Sequence, residues 1–227
     1  MPTERPADDP ELACFLRELE IPTSADWWES IRHFHALLRT ANEVCNLTRI
    51  TTWEDFLAKH VADSLLLVRH VPALRENTLR VADVGCGGGL PGIPLALTFA
   101  HLQVVEIDSV GKKIDQVRSF LQALALDGCE AVCGRARELA RMEAYREGFD
   151  VVVARAVSAT PELIREGRRL LAPNGILVAY KTAAQTQEER PKVEREAAKA
   201  GLTPTLTPVD ELPGGQGERQ FWLLARE

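Results

Sequence analysis

Glycines and acidic residues come together in one short stretch, residues 83–96, which reads DVGCGGGLPGIPLA. Strand-like residues precede it and a helical pattern comes after it. Glycine within regular structure costs conformational entropy, so five glycines in fourteen residues require a reason. At a strand-to-helix junction they allow the backbone to approach a ligand closely, beside the free N–H groups of the helix. The stretch therefore predicts a cradle for a cofactor.

Two cofactors compete for this cradle. A GxGxxG pattern begins at Gly87 and matches dinucleotide sites, whereas a DxGxGxG pattern begins at Asp83 and is typical of enzymes that use S-adenosylmethionine (SAM). An acid two residues before the first glycine suits the ammonium group of SAM, and in the dinucleotide register the first glycine comes too late. Asp108 ends the next predicted strand, where either cofactor needs a partner for its ribose. We favour SAM, with an NAD-dependent oxidoreductase as the alternative.

Alternating strand and helix patterns position these residues. From residue 79 the chain contains five short runs rich in β-branched residues, separated by helical stretches: LRVADVG, LQVVEID, CEAVC, FDVVVARA and GILVAYK. This alternation predicts an α/β fold with a doubly wound, mostly parallel sheet. Two tail runs, LTPTLTPVDEL and ERQFWLLARE, predict an antiparallel C-terminal hairpin at the sheet edge. Ligands of such sheets bind beyond the carboxyl ends of the strands, which is where the glycines fall.

Residues 10 to 70 have a helical pattern instead. Two apolar stripes at helical spacing run through them: Trp27, Ile31, Phe34 and Leu38, then Leu57, Val61, Leu65 and Val68. The segment has no obvious core of its own, so it must pack on the strand-and-helix part of the chain. We expect an N-terminal helical extension over residues 1–75 and a cofactor-binding domain over residues 76–227, together one compact unit.

Composition limits the classes of function. The chain has 227 residues, 45% apolar and 26% charged, enough for one α/β domain with an extension. It shows neither a membrane-length apolar run nor a signal-peptide pattern, so we expect a cytoplasmic protein, and nothing forces a dimer, so we expect a monomer. A net charge of −6 argues against a general nucleic-acid coat but allows a local basic face. The five cysteines form no CxxC pair, so we expect reduced, mostly buried thiols and no metal.

The stretch DVGCGGGLPGIPLA resembles, nearly residue for residue, the signature of the bacterial RsmG family, also called GidB. The two-proline portion is more specific than the glycines, and the resemblance spans about residues 25–225. Further matching pieces occur in family order: Asn46-Leu47-Thr48, His60 with Asp63-Ser64, Asp108-Ser109 before Gly111-Lys112-Lys113, Arg155-Ala156, Lys181, and Glu218-Arg219. The resemblance implies a Rossmann-like class I SAM-dependent methyltransferase that modifies N7 of a guanine in small-subunit (16S) ribosomal RNA, as free RNA or in the small subunit.

Carried over position by position, the resemblance also implies site residues. Asp83 would support the ammonium end of SAM, Asp108 would face the ribose, and Ala136 and Arg137 would border the adenine. The full implied cofactor site is Asp83, Gly85, Gly87, Gly89, Leu90, Asp108, Ala136, Arg137 and Arg155. The residues expected to face the acceptor base or its phosphates are Arg155, Lys181 and Arg219, with Lys112, Lys113 and His60 as RNA contacts. The sequence departs from the family at four positions expected to face RNA: Ala41, Glu43, Cys45 and Thr182.

The residues at the end of the fourth predicted strand agree with N7 as the acceptor. Methylation at a pyrimidine carbon requires a cysteine nucleophile, and methylation of an exocyclic amine commonly uses an Asn-Pro-Pro-aromatic stretch. The chain instead has VARAV at residues 153–157. Guanine N7 carries a lone pair and no proton, so no general base is needed, and Arg155 can orient the base through O6 or a phosphate. A non-catalytic RNA-binding module that keeps the cradle is a second alternative.

Two further groups of polar residues have structural interpretations. His60, Asp63 and Ser64 adjoin on a helix, and we expect a buried polar network that ties the extension to the sheet, or a lining of the acceptor pocket, rather than a hydrolytic triad. Arginines alternate with glutamates in residues 135–143, which predicts a paired, solvated face. For the arginines on one helix face in residues 165–169 we expect solvation ahead of RNA contact.

Overall fold

The computed structural model describes residues 9–156 and 159–226 and has an eight-stranded mixed sheet at its centre. The strands are β1 (Arg80–Val84), β2 (Gln103–Asp108), β3 (Glu130–Cys133), β4 (Phe149–Arg155), β5 (Leu171–Lys181), β6 (Leu202–Leu206), β7 (Asp210–Glu211) and β8 (Glu218–Arg226). Their order is β3-β2-β1-β4-β5-β8-β6, with β7 paired to β8. β1 to β5 are mutually parallel, which confirms the doubly wound sheet.

The tail is antiparallel, as expected, but its order differs from a simple edge hairpin. β8 lies between β5 and β6 and runs antiparallel to both. β6 therefore forms the edge, and β7 makes a short pairing with the start of β8. Insertion of β8 satisfies the backbone groups of β5 on its outer side, which an edge strand would leave open.

The N-terminal extension is helical. Its elements are α1 (Pro10–Glu18), α2 (Ala25–Cys45), α3 (Trp53–Phe56), a π-helical turn (Leu57–Ala62), α4 (Asp63–Leu65), a 3-10 turn (Leu66–Arg69) and α5 (Ala73–Glu76). The side chain of Ser24 accepts a hydrogen bond from Trp27 N and begins α2, and Asn46 ends it in the left-handed conformation. The π-helical turn interrupts the regular spacing predicted for this region, and such turns are frequent at functional sites.

The remaining helices cover the two faces of the sheet. They are α6 (Gly92–Thr98), α7 (Gly111–Ala123), α8 (Ala136–Leu139), α9 (Thr160–Gly167) and α10 (Ala183–Ala200). One continuous buried cluster joins the apolar stripe of α2, for example Phe34, to α6, α7 and one face of the sheet. A second cluster fills the space between the other face and α8, α9 and α10. The extension therefore contributes to the same core as the sheet.

Cysteine placement corrects one expectation. Only Cys86 is buried, whereas Cys14 and Cys133 are exposed, so the prediction of mostly buried thiols is wrong. Cys14 lies in the middle of α1 but outside the buried face formed by Leu12, Phe15 and Leu16, and Cys133 is the last residue of β3. Across the described ranges, no helix combines the length and the apolar character needed to cross a membrane.

The shared core makes a stability prediction. Leu38 on α2 is 1% exposed and packs against the glycine loop, whereas Val44 on the same helix is 79% exposed. Leu38→Ala should lower the free energy of unfolding by about 2–5 kcal/mol in one cooperative urea transition followed by circular dichroism. The control Val44→Ala should change it by about 0.5 kcal/mol or less. Separate transitions for the helices and the sheet would contradict a shared core.

Candidate active site

The glycine loop of residues 85–91 joins β1 to α6 and is held over the end of the neighbouring strand. Gly85 N and Cys86 N both donate to Ile107 O, at 2.7 and 3.0 Å. Gly85, Gly87 and Gly89 have φ values of 72°, 58° and 81°, the left-handed region that other residues seldom adopt. The glycines are thus required by the shape of the loop.

Asp108 fixes the loop from the end of β2. Its Oδ2 accepts a hydrogen bond from Gly87 N at 3.1 Å, and its Oδ1 accepts one from Val110 N at 2.9 Å. The carboxylate is therefore immobilised at the rim of a cavity, with lone pairs left to accept further donors. The two hydroxyl groups of a ribose can supply such donors.

This cofactor cavity has a volume of about 350 Å³ and opens over the carboxyl ends of β1, β2 and β3. Its lining residues are Val84, Gly85, Ile107, Asp108, Ser109, Lys113, Gly134, Arg135, Ala136, Ala156, Glu162, Leu163 and Glu166. Small apolar side chains with a few fixed polar groups are typical of sites for cofactors with an aromatic base. The structure thus brings together three of the predicted cofactor residues: Gly85, Asp108 and Ala136.

Other predicted cofactor residues lie around this cavity without lining it. Gly87 and Gly89 shape the loop, and Leu90 is buried in the core beneath it. Arg137 is exposed on α8 and lines a neighbouring concavity. Asp83 is fully buried under the loop, where its Oδ2 accepts a hydrogen bond from Gly92 N, the start of α6, at 2.8 Å. Asp83 therefore supports the loop from its buried side, through the first residue of α6.

A larger cleft of about 910 Å³, called here the acceptor cleft, adjoins the cofactor cavity. The two share Ala156, which comes directly after β4. The polar side chains of the acceptor cleft come from the extension and from β4, β5, α10 and β8: Lys59, His60, Asp63, Arg155, Tyr180, Lys181, Gln185, Glu189, Glu218 and Arg219. All three predicted acceptor-facing residues are among them.

Asp63 is the centre of this group. It is 1% exposed, and Arg219 donates to it through two atoms, Nε to Oδ1 at 2.6 Å and Nη2 to Oδ2 at 2.9 Å. Arg155 Nη1 donates to the same Oδ2 at 2.9 Å. A carboxylate that receives two arginines, one of them bidentate, forms strong charge-assisted hydrogen bonds. Asp63 therefore fixes both guanidinium groups at the cleft.

Both ring nitrogens of His60 have polar partners. Nδ1 lies 3.2 Å from Arg155 Nη2 and 3.1 Å from Lys59 O, so it faces a donor and an acceptor. Nε2 lies 2.8 Å from Thr48 Oγ1, which can donate or accept. Burial, and next the charge of Arg155, lower the pKa of His60 to about 3. His60 is thus a neutral member of the cleft.

The same segment is connected to the centre of the sheet. Ser64 Oγ donates to His60 O at 2.6 Å, and the hydroxyl of Tyr180 on β5 donates to Ser64 O at 3.1 Å. With Asp63 bound to β4 and β8, these contacts confirm the buried polar network expected between the extension and the sheet. His60 and Asp63 of this network also line the acceptor cleft.

Comparison with known proteins shows which family the chain belongs to. Residues 28–211 match the family model GidB, described as rRNA small subunit methyltransferase G. A ribosomal RNA small subunit methyltransferase G from Limosilactobacillus reuteri is 33% identical over 213 residues, covering 92% of this chain and 87% of that protein. The protein of the same name from Exiguobacterium is 38% identical over 190 residues, covering 84% and 78%. The chain belongs to the GidB family.

Among solved structures, an O-methyltransferase from Bacillus cereus in complex with SAH has a similar fold. Its TM-score is 0.61 at 16% identity, and the match covers 94% of this chain and 96% of that one. The fold expected from the sequence, a Rossmann-like class I methyltransferase with a helical extension, is thereby confirmed.

The remaining predicted residues of this GidB protein occupy different surroundings. Lys181 is buried and forms an ion pair with Glu189 Oε1 at 3.3 Å. Lys113 lines the cofactor cavity, whereas Lys112 is exposed at the start of α7. Sequence reasoning missed Glu189, because it lies within a charged, mostly exposed helix where nothing local distinguishes one glutamate from the others.

The four departures from the family pattern also have definite positions. Thr182 caps α10 in a capping box with Gln185, so the hydroxyl has a structural role. Ala41 is buried, Glu43 is exposed, and the Cys45 thiol lies 3.8 Å from Lys112 O. Cys45 therefore places the end of α2 against the start of α7.

Removal of the Asp63 carboxylate should lower the stability of the folded protein. Asp63→Ala leaves Arg155 and Arg219, 10% and 17% exposed, without their counter-charge, and removal of one partner from a buried pair costs about 3–5 kcal/mol. In a protein of this size each kcal/mol lowers the melting temperature by about 2–4 °C, which calorimetry resolves. The matched control Asp115→Ala breaks an exposed pair with Arg118 and should cost about 1 kcal/mol or less. Equal effects of the two variants would contradict this account of Asp63.

Proposed function

We propose that the protein transfers a methyl group from SAM to N7 of a guanine in 16S ribosomal RNA. The observation that carries the proposal is the junction at Ala156, where a cofactor cavity meets a cleft that presents two fixed arginines. Membership of the GidB family identifies the protein as a ribosomal RNA methyltransferase. When bound, SAM supplies the activated methyl group, and the protein contributes chiefly by holding the acceptor in line.

On the cofactor side, the proposal assigns three kinds of role. Asp108 accepts from the ribose diol, and Ala136 borders the adenine together with the backbone of Arg137, a residue that also lines the neighbouring concavity. Gly85, Gly87 and Gly89 shape the loop, Leu90 supports it from the core, and Asp83 anchors it. Support comes from the fit of the donor set: a carboxylate fixed by two backbone N–H groups lies beside small apolar side chains in a cavity of about 350 Å³.

On the acceptor side, Arg155 and Arg219 orient the guanine or its flanking phosphates, and Lys181 adds a third cation. N7 has no proton to lose, so no general base is required. This agrees with His60, whose lowered pKa keeps it neutral. We assign His60, Lys112 and Lys113 to RNA contact, with Lys113 nearest to the cofactor.

We also propose that residues 1–75 and 76–227 act as one unit, a monomer in the cytoplasm where ribosomal RNA is found. The shared buried cluster of the extension and the sheet supports this arrangement. Membership of a methyltransferase family decides against the dinucleotide alternative, and a non-catalytic RNA-binding module is an outcome of the test below.

The test combines methyl-labelled SAM with small ribosomal subunits from cells that lack this gene. After digestion, we expect label in 7-methylguanosine. Arg155→Ala should reduce labelling by about 100-fold, because positioning supplies much of the rate. SAM affinity measured by calorimetry should stay unchanged, because Arg155, although implied by the sequence as a cofactor residue, lines the acceptor cleft and not the cofactor cavity. Asp108→Ala should weaken SAM binding itself.

The outcomes distinguish the parts of the proposal. Label in another nucleoside would overturn the N7 assignment and leave the cofactor site intact. SAM binding without any transfer would favour the binding module.

A further inference from the structure

Two carboxyl groups face each other beneath the glycine loop. Asp83 on β1 and Glu106 on β2 are register neighbours in parallel strands, and both side chains are fully buried. Asp83 Oδ2 accepts a hydrogen bond from Gly92 N. Asp83 Oδ1 and both oxygens of Glu106 have no N–H or O–H donor among the residues that the structure describes, and only the weakly donating thiol of Cys86 faces Glu106. Three buried acceptors without donors would be very costly if both groups were ionised.

A shared proton removes this cost. The strand register places the two buried carboxyl groups side by side, so a protonated Glu106 can donate to Asp83 Oδ1. Burial, and next the charge of Asp83, raise the pKa of Glu106 well above its usual range. Burial raises the pKa of Asp83 only to about 7, because Gly92 N and Glu106 hydrogen-bond to it and Arg155 lies nearby. The donor Gly92 N stabilises the charge on Asp83 and has no counterpart on Glu106, which assigns the proton to Glu106.

Glycine at position 92 leaves the space that the pair of Asp83 and Glu106 requires. A Cβ on Gly92 would collide with the carboxyl group of Glu106, so the first residue of α6 must be glycine for Glu106 to reach under it. The other polar groups that face the pair are the thiol of Cys86, the carboxylate of Asp108 and the guanidinium of Arg155. Among these, Asp108 adds negative charge and thus favours retention of the proton.

We propose that Glu106 is a positioning residue of the SAM site: it donates a proton to Asp83 Oδ1 and so fixes Asp83, Gly92 and the cradle between them. The inference rests on the proposed cofactor site. It assigns a role in SAM binding to a residue that does not itself line the cofactor cavity.

The pair also links stability to pH. The folded protein keeps a proton on Glu106 that the unfolded chain releases above pH ~4. The stabilisation from the protonated group is fully present below that pH and disappears as the pH rises toward the pKa in the folded state. Glutamine at position 106 can donate to Asp83 without holding a titratable proton, whereas leucine cannot donate.

The experiment compares Glu106→Gln and Glu106→Leu with the wild type. We expect SAM affinity by calorimetry to be similar for the wild type and Glu106→Gln and about tenfold weaker for Glu106→Leu, the effect of removing a hydrogen bond of about 1.4 kcal/mol. In thermal unfolding without SAM, the melting temperature of Glu106→Gln relative to the wild type should rise steadily from pH 5 to pH 8.

Each other outcome has a definite meaning. Equal SAM affinity of Glu106→Leu and the wild type would overturn the positioning role and leave the cofactor site intact. A melting-temperature difference that does not change with pH would overturn the shared proton. Failure of the wild type to bind SAM would overturn both the cofactor site and this inference.

A second surface carries an independent inference. Six arginines line two adjoining concavities of about 340 Å³ each between α8 and α9, and this arginine patch consists of Arg137, Arg141, Arg146, Arg165, Arg168 and Arg169. The concavities share Arg141, Arg168 and Arg169. Glu166 lines both the patch and the cofactor cavity, so the patch begins at the rim of the active site.

The positive charge of this patch is poorly balanced. The pairing expected between Arg137 or Arg141 and their neighbouring glutamates is not found within the part of the chain that the structure describes, and both arginines line the concavities. Arg165 pairs with Glu196 only at 3.6 Å, and Glu147 is engaged by Arg226 at 2.8 Å. Such a cluster in a chain of net charge −6 calls for a polyanionic occupant.

We infer that the arginine patch binds phosphates of the ribosomal RNA that flanks the target nucleotide. Guanidinium groups bind phosphate in a bidentate manner and remain charged at all relevant pH values. This inference rests on the proposed function, since it takes the RNA substrate as the polyanion.

The test is the salt dependence of binding to 16S ribosomal RNA transcribed in vitro. A triple variant, Arg141→Ala, Arg165→Ala and Arg169→Ala, should bind at least tenfold more weakly at low salt. Its plot of log affinity against log salt should be less steep by roughly 0.7 for each phosphate that the variant no longer binds. The control triple on α10, Arg190→Ala, Lys192→Ala and Arg195→Ala, makes the same charge change on exposed residues and should behave like the wild type.

Equal behaviour of the two triple variants would overturn the arginine patch as an RNA surface while the rRNA substrate stands. A wild type that binds SAM but binds neither this RNA nor small ribosomal subunits would overturn the patch together with the substrate.

Discussion

The carboxylate of Asp63 neutralises two arginines from two different strands, and the acceptor side of the molecule depends on it. Arg155 and Arg219 belong to β4 and β8, and the carboxylate comes from the extension. Buried guanidinium groups require a counter-charge with satisfied hydrogen bonds, so the extension cannot be separated from the cleft without leaving them uncompensated. The extension thus completes the active site while it covers one face of the sheet.

The π-helical turn is the local feature that lets the extension reach the acceptor cleft. It carries Lys59 and His60 into the acceptor cleft and is followed at once by Asp63. Its carbonyls also take part, since Lys59 O accepts from Arg155 Nη1 at 3.0 Å and His60 O accepts from Ser64 Oγ. The result is a cleft in which arginines supply the positive charge and the histidine is held neutral.

On the cofactor side, the corresponding constraint is that the glycine loop, which has many accessible conformations, must be fixed in one of them. Two carboxylates hold it, Asp108 from its rim through Gly87 N and Asp83 from beneath through Gly92 N. Ordering the glycine loop costs conformational entropy. Hydrogen bonds to two charged acceptors offset this cost, because they are stronger than hydrogen bonds between neutral groups. The pairing of Asp83 with a proton-holding Glu106 results from this arrangement, because strand register places the two buried acids side by side.

The sequence by itself determined the features that are local or periodic. The order of strands and helices, the left-handed glycines of the cradle and the position of Asp108 come from patterns of a few residues, and the family signature lies in one such stretch. The tertiary structure decided the features that depend on residues far apart in the chain. Asp63 and Arg219 are separated by 156 positions, and no spacing rule relates them. The same holds for the protonation of Glu106 and for the convergence of arginines from α8, α9 and the segments that follow them. Burial and charge proximity exist only once the strands and helices have packed.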